Sequence, residues 1–553
     1  MSAKPKVFFL QMPAWGREPN LAIAQLYAIV RREGYDAEVV DLNMELYRRF
    51  GVAQGQRDLW AAEIDNLWRQ REFCSRILEQ NRPWIEAEFL DRICRADHPV
   101  VCFPVTAPSL PASFLLTRWI KELRPDATIV FGGSFFTVCP EVVDGGLWEC
   151  GVDALVSGDG EETLLEILAR RQEGREWDGC RGLWYRSREK GIVFTGERTP
   201  VDLNALPFAD FSGFDGSLYP TKASSETERL GVVGTFDDLF LMASRGCLRK
   251  CSFCGHWPSW KGFRSMSGRR IYEEIVHQRS VRPEIRPGDS LIKFYDLIVN
   301  GDMRALGELC DLLIADPSPK LLWQECNVAI RPEMTFEVCG KLHAAGCRQL
   351  IVGLESGSQR MLDLMGKGQT VSQMKDVLRN ASRAGLQVRG NFMFGHPGET
   401  EEDFQQTLNF LREMHPYIHF IYPSYTMTHL EGRLHSQPEK WGLEPGQDAH
   451  FWRSSDGTNT YPIRLERYQR FVREAQALGA GFGHCLNMPL EDLVELKLGE
   501  YYQFTKEYDL ALAHYRRHLA SGRGNAFVLS QVRALESQAR GTSGRAEDCP
   551  GQK

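Results

Sequence analysis

Short apolar runs alternate with amphipathic segments twice along this chain of 553 residues. One series covers residues 6–172 and the other covers residues 239–426. Each apolar run is short enough to be a buried strand, and each amphipathic segment carries apolar residues at helical spacing. Because strands that alternate with helices pair in parallel, the pattern predicts an α/β protein with two successive parallel-sheet units.

The first series predicts a doubly wound, Rossmann-like domain over residues 1–198. Its strands are expected at 6–12, 36–43, 98–106 and 127–134, followed by a strand, glycine turn and helix at 153–172. The long, charged and periodic stretch 44–96 predicts an inserted set of helices. Ligands of such sheets bind at the carboxyl ends of the strands, where this series has glycine-containing loops.

The second series predicts about six strand–helix repeats over residues 239–430, which is typical of a partial or full α/β barrel. Its elements include a strand at 320–329 and helices at 303–315 and 401–414. Active sites of such barrels lie at the carboxyl ends of their strands. A linker at 199–238, rich in Pro, Gly and Ser, precedes the barrel. The chain then predicts a mostly helical region at 431–538, with one tetratricopeptide-like helix pair, and a disordered tail at 539–553.

Composition excludes several classes of protein. The net charge is −7 and the pI about 6.1, so the chain lacks the basic footprint of a nucleic-acid binder. No apolar run reaches the length of about 20 residues that spans a bilayer, and the first residues lack the pattern of a secretory signal. The 15 cysteines are odd in number and scattered, unlike a disulfide framework. We therefore expect a cytoplasmic protein with no membrane segment.

Three cysteines are clustered in "RGCLRKCSFCGHW", residues 245–257, at Cys247, Cys251 and Cys254. Closely spaced thiols in such a chain indicate metal or redox chemistry, and the neighbouring basic residues would stabilise thiolates. A zinc site would need a fourth ligand, for which His256 lies nearby, and usually a second, distant Cys/His pair, which we do not find. An iron–sulfur cluster held by three thiolates leaves one iron open for a substrate.

The spacing C-x-x-x-C-x-x-C after the first strand of an α/β barrel resembles the radical SAM superfamily. The segments "VGLESGSQRMLDLMGKG" (352–368) and "NFMFGHPGETEEDF" (391–404) are similar to its fourth-strand segment and to its adenine-cradling loop. "FYDLIVNGD" (294–302) falls where that superfamily has its aminocarboxylate-binding motif, but departs from the commoner Gly-Gly-Glu form. The resemblance implies a [4Fe–4S] cluster on the three cysteines. The implied SAM contacts are Trp257, Asn300, Glu355, Ser356, Asn391, Phe394, Gly395 and Pro397.

The first domain is similar to the cobalamin-binding domain of cobalamin-dependent radical SAM enzymes. The similarity rests on "IVFGGSFFT" (129–137), "VDALVSGDGEETLLEIL" (152–168) and the linker segment "DLNALPFADF" (202–211). The motif D-x-H-x-x-G, which supplies an axial histidine in some cobalamin domains, is absent from this domain. The implied cobalamin contacts are Thr106, Gly132, Gly133, Ser134, Gly158, Asp159, Gly160 and Glu161.

Together the resemblances cover about residues 5–430 and imply a cobalamin-dependent radical SAM methyltransferase. The implied chemistry is cleavage of SAM, removal of hydrogen from an unactivated carbon by a 5′-deoxyadenosyl radical, and methyl transfer from methylcobalamin to a small molecule. Flavodoxin or ferredoxin is the implied electron donor. No catalytic residue is singled out, although the segments 423–443 and 451–470 are expected to cover the barrel mouth. Two alternatives stay open: a related oxidase, cyclase or rearrangement enzyme without methyl transfer, and a non-catalytic metal-binding scaffold.

Overall fold

A computed structural model describes most of the chain, namely residues 3–14, 16–55, 60, 68–133, 135–136, 146–187, 189–221, 235–429, 432–482, 488–522 and 526–543. Within these residues, parallel strands alternate with helices in two successive units, and helices follow. The predicted α/β fold class is therefore confirmed. None of the described helices is both long and apolar enough to span a bilayer.

The first unit is built on a seven-stranded sheet with the order β2-β1-β3-β4-β5-β6-β7. Its strands are β1 (Val7–Gln11), β2 (Ala37–Asp41), β3 (Val100–Pro104), β4 (Thr128–Gly132), β5 (Ala154–Val156), β6 (Leu183–Ser187) and β7 (Gly191–Phe194). The first five are parallel, in the doubly wound order that places a ligand where the strand order reverses. The sequence analysis missed the antiparallel pair β6–β7, because these strands are half-exposed at the edge and lack a continuous apolar run.

Helices cover this sheet, and several of them form the predicted insertion between β2 and β3. They are α1 (Leu21–Arg32), α2 (Leu42–Leu46), α3 (Arg71–Ile85), α4 (Asp91–Arg95), α5 (Leu110–Leu123) and α6 (Glu161–Glu173), with π-helical turns at Tyr47–Val52 and Glu86–Leu90. Asn20 caps α1 by accepting from the amides of Ala22 and Ile23. The inserted helices bury Trp60 and Trp68 against the sheet's core.

The described parts of the segment predicted as a linker, residues 199–221 and 235–238, pack against both units. Ala209, Phe211 and Tyr219 are buried in the core of the first sheet. Val201 and Leu203, a few residues earlier, are buried in the core of the barrel. The Pro- and Gly-rich composition therefore reflects irregular backbone here, with short 3-10 turns, and not a loose connection.

The second unit is a partial barrel of six strand positions. Its strands are β8 (Leu239–Leu241), β9 (Ser244–Arg245), β10 (Arg264–Ser265), β11 (Leu291–Phe294), β12 (Leu322–Gln324), β13 (Cys326–Val328), β14 (Gln349–Glu355), β15 (Gln387–Phe394) and β16 (Phe420–Tyr425). The parallel ladders run β8-β11-β12 and β13-β14-β15-β16, and β9 pairs with β10 as a short hairpin. The strand predicted at 320–329 is interrupted at Glu325, whose φ of +55° separates β12 from β13.

The barrel helices lie between these strands and after them. They are α7 (Gly268–Val281), α8 (Met303–Ala315), α9 (Phe336–Ala344), α10 (Gln359–Met365), α11 (Val371–Arg383), α12 (Glu401–Met414), α13 (Arg433–Ser436) and α14 (Tyr461–Ala477). Helices α8 and α12 have the predicted bounds, 303–315 and 401–414. Helix α14 packs against β15 and β16.

Three further helices follow the barrel: α15 (Leu490–Phe504), α16 (Tyr508–Ala520) and α17 (Ala526–Ser543). The first two form the predicted tetratricopeptide-like pair. A side chain at Gly499 would collide with the ring of Tyr515, so the glycine permits the close approach of α15 and α16. Helix α17 continues to Ser543, five residues into the tail for which disorder is predicted. Residues 544–553 lie outside the described part.

Candidate active site

The three clustered cysteines lie on the loop that follows β9, at the carboxyl end of the first barrel strand. Gly246 begins the loop at φ +87°, where a β-carbon would strike the backbone of Gly262. The amide of Ser252 donates to the Met365 carbonyl (2.9 Å), which fastens the loop to the end of α10. The loop is therefore held from both sides, with Cys251 buried and Cys247 and Cys254 partly exposed.

Burial and neighbouring charged or polar groups shift the pKa values of the thiols on this loop. Burial raises the pKa of Cys251 to about 11, and the ammonium of Lys367 opposes this rise. Burial also raises the pKa of Cys254, while the amides of His256 and Trp257 lower it. A metal that binds here must displace the protons of these thiols, and the nearby cation favours that exchange.

The donor set suits a cluster better than a single ion. Within the described residues, no three Cys, His, Asp or Glu side chains converge on one metal position, as a tetrahedral zinc site would require. Thiolates that each bind a different iron of a [4Fe–4S] cluster need not converge on one point. Three thiols on one loop, beside Lys367, fit such a cluster with one open iron.

A buried histidine that the sequence analysis missed supports the cysteine loop. His396 Nε2 lies 2.8 Å from the Ser252 hydroxyl, and its Nδ1 lies 2.9 Å from the Pro397 carbonyl. Because a carbonyl only accepts, Nδ1 carries the proton and Nε2 accepts from Ser252. Burial lowers the pKa of His396 to about 4, so the ring is neutral. His396 thus links the loop after β15, which is predicted to cradle adenine, to Ser252, the residue that follows Cys251.

Trp257 also packs on the cysteine loop. Its Nε1 donates to the Cys251 carbonyl (3.1 Å), and the Arg433 guanidinium lies 4.8 Å from its ring centroid. Its predicted contact with SAM stays a prediction, and the contacts seen here tie α13 to the loop. Arg433 was expected at the barrel mouth. In the structure its guanidinium makes a cation–π contact with the ring of Trp257.

Glu355 ends β14 in a conformation that non-glycine residues seldom adopt. Its φ is +60°, and its Oε1 lies 3.1 Å from Lys367 Nζ. A β-carbon at Gly353 would stand 2.6 Å from Glu355 Oε1 and 2.7 Å from Lys367 Nζ. Gly353 thus makes room for this ion pair. Only 9% of Glu355 is exposed. The strained backbone and the cation of Lys367 hold its carboxylate beside the cysteines.

Two other predicted SAM residues have structural partners. The Ser356 hydroxyl lies 2.9 Å from that of Thr407 on α12, and it accepts from the Ser358 amide. The Asn300 amide group donates to the Ala329 carbonyl (2.9 Å) and accepts from the Ala329 amide (2.8 Å). Both side chains are fully buried and join neighbouring loops, and their predicted contacts with SAM remain untested.

The segment 391–399 leaves β15 and forms a tight loop. Asn391 Oδ1 is a buried acceptor with no hydrogen-bond partner among the described residues. Phe394 is core, packed 4.7 Å from the ring of Phe471 on α14. The Gly395 amide donates to Glu399 Oε2 (2.6 Å), and its φ of +74° requires glycine. Asn391, within β15, therefore has an unused acceptor for a ligand.

Residues on and just before α14 hold this loop in place, which the sequence analysis did not foresee. Arg467 pairs with Glu399 (2.7 Å), and Asn459 donates to the Gly395 carbonyl (3.0 Å). Arg464 is fully buried against Gly395 and over the ring of Trp452, 3.8 Å from its centroid. Residues 451–470 had been predicted to cover the mouth, and many of them brace the Gly395–Glu399 loop instead.

An apolar cavity lies at the carboxyl edge of the first sheet. It has a volume of about 310 Å³, within the usual range for ligand pockets. Its walls are mostly apolar and come from both units, including Leu21 on α1 and Phe240 and Met242 at β8. The predicted cobalamin residues that line it are Gly132, Gly133, Gly158, Asp159, Gly160 and Glu161.

Two predicted cobalamin residues are not part of this wall. Thr106 is exposed, and its amide donates to the Ser109 hydroxyl (2.9 Å), which starts α5. Ser134 lies outside the described residues. Gly133 has a φ of +118°, and a β-carbon there would stand 2.5 Å from the Val105 carbonyl oxygen. The backbone at Gly133 therefore allows a ligand, or a neighbouring strand, to approach closely.

Asp159 and Glu161 also join the two units. Arg245, two residues before Cys247, bonds to Asp159 (3.0 Å) and to Glu161, and Arg264 bonds to Asp159 (2.8 Å). Burial would raise the pKa of Asp159, but the two guanidinium groups outweigh it and hold the pKa below its usual value. The remaining oxygen of Glu161, Oε2, is buried without a hydrogen-bond partner in the described part of the chain. An amide-bearing cofactor such as cobalamin fits this unpartnered acceptor and the apolar wall.

The comparisons with known proteins agree with this geometry. Residues 241–411 match the radical SAM superfamily model, so the chain carries a radical SAM domain. Over nearly its whole length the chain has the fold of a cobalamin-dependent radical SAM enzyme. The radical S-adenosylmethionine methyltransferase TsrM of Kitasatospora setae, solved with cobalamin and a [4Fe–4S] cluster, is similar over 98% of this chain and all of its own, with a TM-score of 0.59 and 17% identity.

Curated relatives match part of the chain. An uncharacterised methyltransferase of Pyrococcus horikoshii is 29% identical over 332 residues, which are 58% of this chain and 66% of that protein. The anaerobic magnesium-protoporphyrin IX monomethyl ester cyclase of Rubrivivax gelatinosus is 24% identical over 57% of this chain and 54% of its own. The match thus spans between about half and two thirds of these relatives. The predicted resemblance to cobalamin-dependent radical SAM proteins is confirmed.

Proposed function

We propose that this protein is a cobalamin-dependent radical SAM methyltransferase that methylates an unactivated carbon of a small molecule. The observation that carries the proposal is the link between the two ligand regions. Arg245 lies two residues before Cys247 and bonds to Asp159 and Glu161 on the rim of the cavity. The cysteine loop and the cavity are therefore neighbours, as cofactors that act on one substrate must be.

The chain's own residues would hold and orient the cofactors. Cys247, Cys251 and Cys254 would hold the cluster, with Lys367 favouring thiolates and Glu355 beside it. Asn391 Oδ1 offers SAM an acceptor, and the cavity residues would hold cobalamin by backbone approach and apolar contact. When bound, these cofactors supply one-electron cleavage of SAM, hydrogen-atom removal and a transferable methyl group.

The protein contributes orientation and the exclusion of water. The cavity is closed by residues of both units, with the buried Asp159–Arg245 pair at its rim. A reactive carbon radical is protected when solvent and free thiols are kept away. The other described cysteines of the barrel, such as Cys326 and Cys339, are buried in its core and away from solvent.

Partners and compartment follow from the same proposal. The substrate would be a small molecule, as the tryptophan found in a structure of TsrM is for that protein. An electron donor of the flavodoxin or ferredoxin type would dock near the cluster, where Leu248 and Lys250 on the cysteine loop are exposed. We propose no role with nucleic acid, in keeping with the net charge of −7. A reducing compartment such as the cytoplasm suits the thiolate ligands.

The proposal is tested with protein purified without oxygen and supplied with hydroxocobalamin, iron and sulfide. It is incubated with a strong reductant and with SAM whose methyl group carries deuterium. The proposal predicts 5′-deoxyadenosine, S-adenosylhomocysteine, and label in a methylated product once a substrate is supplied. Formation of 5′-deoxyadenosine with no S-adenosylhomocysteine under any condition would argue for the oxidase, cyclase or rearrangement alternative, with which one relative's name agrees.

A further inference from the structure

A group of charged and aromatic side chains faces the interior of the barrel, apart from the cofactor residues described above. We call it the barrel-interior cluster, and it consists of Glu18, Lys293, Tyr295, Glu325, Arg389 and Tyr422. Glu325 is its centre: Oε2 lies 3.2 Å from Lys293 Nζ, and Oε1 lies 3.6 Å from Arg389 Nη1. The Arg389 guanidinium also lies 4.7 Å from the ring centroid of Tyr422.

Strand alternation shows that these side chains face inward. Phe392 and Phe394 on β15 pack against aromatic rings of α12 and α14, so they point to the outer helices. Residues at alternate positions, Arg389 and Asn391, therefore face the interior. Strand β14 lies between β13 and β15, so Arg389 can contact Glu325 only across the concave inner surface.

The backbone at Glu325 is strained. It is one of four described residues other than glycine with a positive φ, and this conformation interrupts the strand between β12 and β13. Strained non-glycine residues persist where the surrounding structure fixes them, and they are enriched at binding and catalytic sites. Glu355, which ends the next strand, is strained in the same way and sits beside the cysteines.

Arg389 keeps an unused hydrogen-bond donor in this cluster. A lysine ammonium has three N–H donors and a guanidinium five, whereas the carboxylate of Glu325 is the shared acceptor of both cations. Arg389 Nε is buried and has no hydrogen-bond partner among the described residues. An arginine with unused donors in a partly dry site is well suited to bind a carboxylate.

The barrel-interior cluster lies between the two proposed cofactor regions. Glu18 comes from the first unit, and its carboxyl accepts from the hydroxyl of Tyr295; burial raises the pKa of that carboxyl. Its segment is anchored to the insertion, because Arg17 donates to the Tyr47 hydroxyl (3.1 Å). The Tyr295 ring is 5.9 Å from that of Phe240, which lines the cavity. A substrate must reach this same space to meet both cofactors.

We infer that the barrel-interior cluster is the substrate subsite and that it binds a carboxylate group of the substrate through Arg389 and Lys293. Glu325 positions these two cations, and the exposed faces of Tyr295 and Tyr422 contact the apolar body of the substrate. This inference rests on the proposed function, since it names the substrate class of the same site. SAM also carries a carboxylate, so the two sources must be separated.

Strand register separates the subsite from the proposed SAM residues. Glu355 pairs with Phe392, three residues further along β15 than Arg389. At about 3.3 Å per residue, Arg389 lies roughly 10 Å deeper in the barrel than Glu355 and roughly 7 Å deeper than Asn391. Loss of Arg389 should therefore weaken a substrate carboxylate and leave the binding of SAM unchanged.

The test uses the full-length, cofactor-loaded chain and titration calorimetry. The probes are benzoate, phenylacetate, indole-3-acetate and L-tryptophan, each compared with its carboxamide. We expect at least one carboxylate to bind at least about tenfold more tightly than its amide, which has the same shape but no charge. Arg389→Met should lower that affinity by at least about tenfold. Glu325→Gln should raise it, because the Glu325 charge then no longer competes with the substrate for the two cations.

Control variants distinguish a substrate-binding role of the barrel-interior cluster from a purely structural one. Arg379→Met removes an exposed arginine of α11, paired with Glu413, and should change neither affinity. Circular dichroism and iron content report whether each variant folds, and the carboxylate–amide comparison in the unsubstituted chain needs no variant. The inference is overturned if no carboxylate binds, if amides bind equally well, or if Arg389→Met weakens only SAM. Failure of SAM cleavage in the unsubstituted chain would contradict the proposed function and leave the carboxylate result standing.

Discussion

The cysteine loop and the cavity loops both lie at carboxyl ends of parallel strands, yet they are built in opposite ways. On the cysteine loop the functional groups are side chains at fixed spacing, fastened by His396 and by the end of α10. At the cavity the surface is glycine backbone and apolar wall, closed by arginines of the other unit. A site built from side chains at fixed spacing can be recognised in one stretch of sequence. A site built from backbone and apolar surface is formed only where the two units pack together.

The largest effect is expected where one side chain is a ligand. Cys251→Ala should abolish stable binding of the iron–sulfur cluster, because two thiolates cannot replace three. Cys339→Ala, which removes a buried cysteine of the barrel core, should keep the iron. Iron and sulfide analysis with visible absorbance measures both variants. Full iron content in Cys251→Ala would contradict the ligand assignment.

The next effect concerns the contact between the two units. Asp159→Asn should destabilise the protein by about 3 kcal/mol, because Arg245 and Arg264 then share a buried site without a full counter-charge. Asp311→Asn, which breaks the exposed pair with Lys341 (2.7 Å), should cost less than about 1 kcal/mol. Denaturant unfolding followed by circular dichroism compares them. Equal losses in the two variants would mean that the buried pairs do not join the units.

A pH effect is expected at the histidine behind the cysteine loop. Burial holds the pKa of His396 in the folded protein at about 4, below the ordinary histidine value of 6.5, so the unfolded chain takes up a proton first as the pH falls. The group's contribution is therefore complete above about pH 6.5 and is lost as the pH falls towards 4, by about 2 kcal/mol between pH 7 and pH 5. His396→Asn should lose this part of the pH dependence of the unfolding free energy.

The matched control for that experiment replaces an exposed histidine, His98, by asparagine. His98 is exposed with a φ of +48°, a conformation that asparagine accepts readily. The slope of stability against pH in His396→Asn is compared with that in His98→Asn. A slope that is the same in His396→Asn as in the unsubstituted chain would mean that His396 is not held neutral by burial.

The smallest effect is expected at the strained end of β14. Glu355→Gln removes the charge beside Lys367 and should weaken SAM binding by about tenfold, with the cluster retained. Glu413→Gln, which alters an exposed partner of Lys375, is the control. Equilibrium binding of SAM and iron content are measured together. Loss of iron in Glu355→Gln would place this carboxylate at the cluster and not at SAM.

The comparison also explains how much could be predicted from the sequence. The alternation of strands and helices predicted both units, and α8 and α12 to the residue, because amphipathic periodicity and caps are local signals. The spacing of the three cysteines, also a local signal, is what predicts a metal-binding loop. The antiparallel pair β6–β7 was missed, since short edge strands lack such a signal. The interruption at Glu325 was missed because the apolar pattern continues through it.

Contacts between distant segments could not be predicted from one sequence. Nothing near Gly395 signals that Arg464, Arg467 and Asn459 hold its loop. Asp159 and Glu161 were predicted from a resemblance, but their arginine partners lie more than 80 residues away. Single-sequence patterns report period and spacing, and they carry no information about which buried charges meet in three dimensions.

The central claim is that a cluster site and a corrinoid site lie together in this chain. Crystals of the protein loaded with iron, sulfide and hydroxocobalamin would test it by anomalous diffraction at the iron and cobalt edges. We predict iron at Cys247, Cys251 and Cys254, and a separate cobalt at the cavity rim formed by Gly133, Gly158 and Glu161. Iron without cobalt at that rim, in crystals grown with hydroxocobalamin, would contradict the account and leave the first unit without its cofactor.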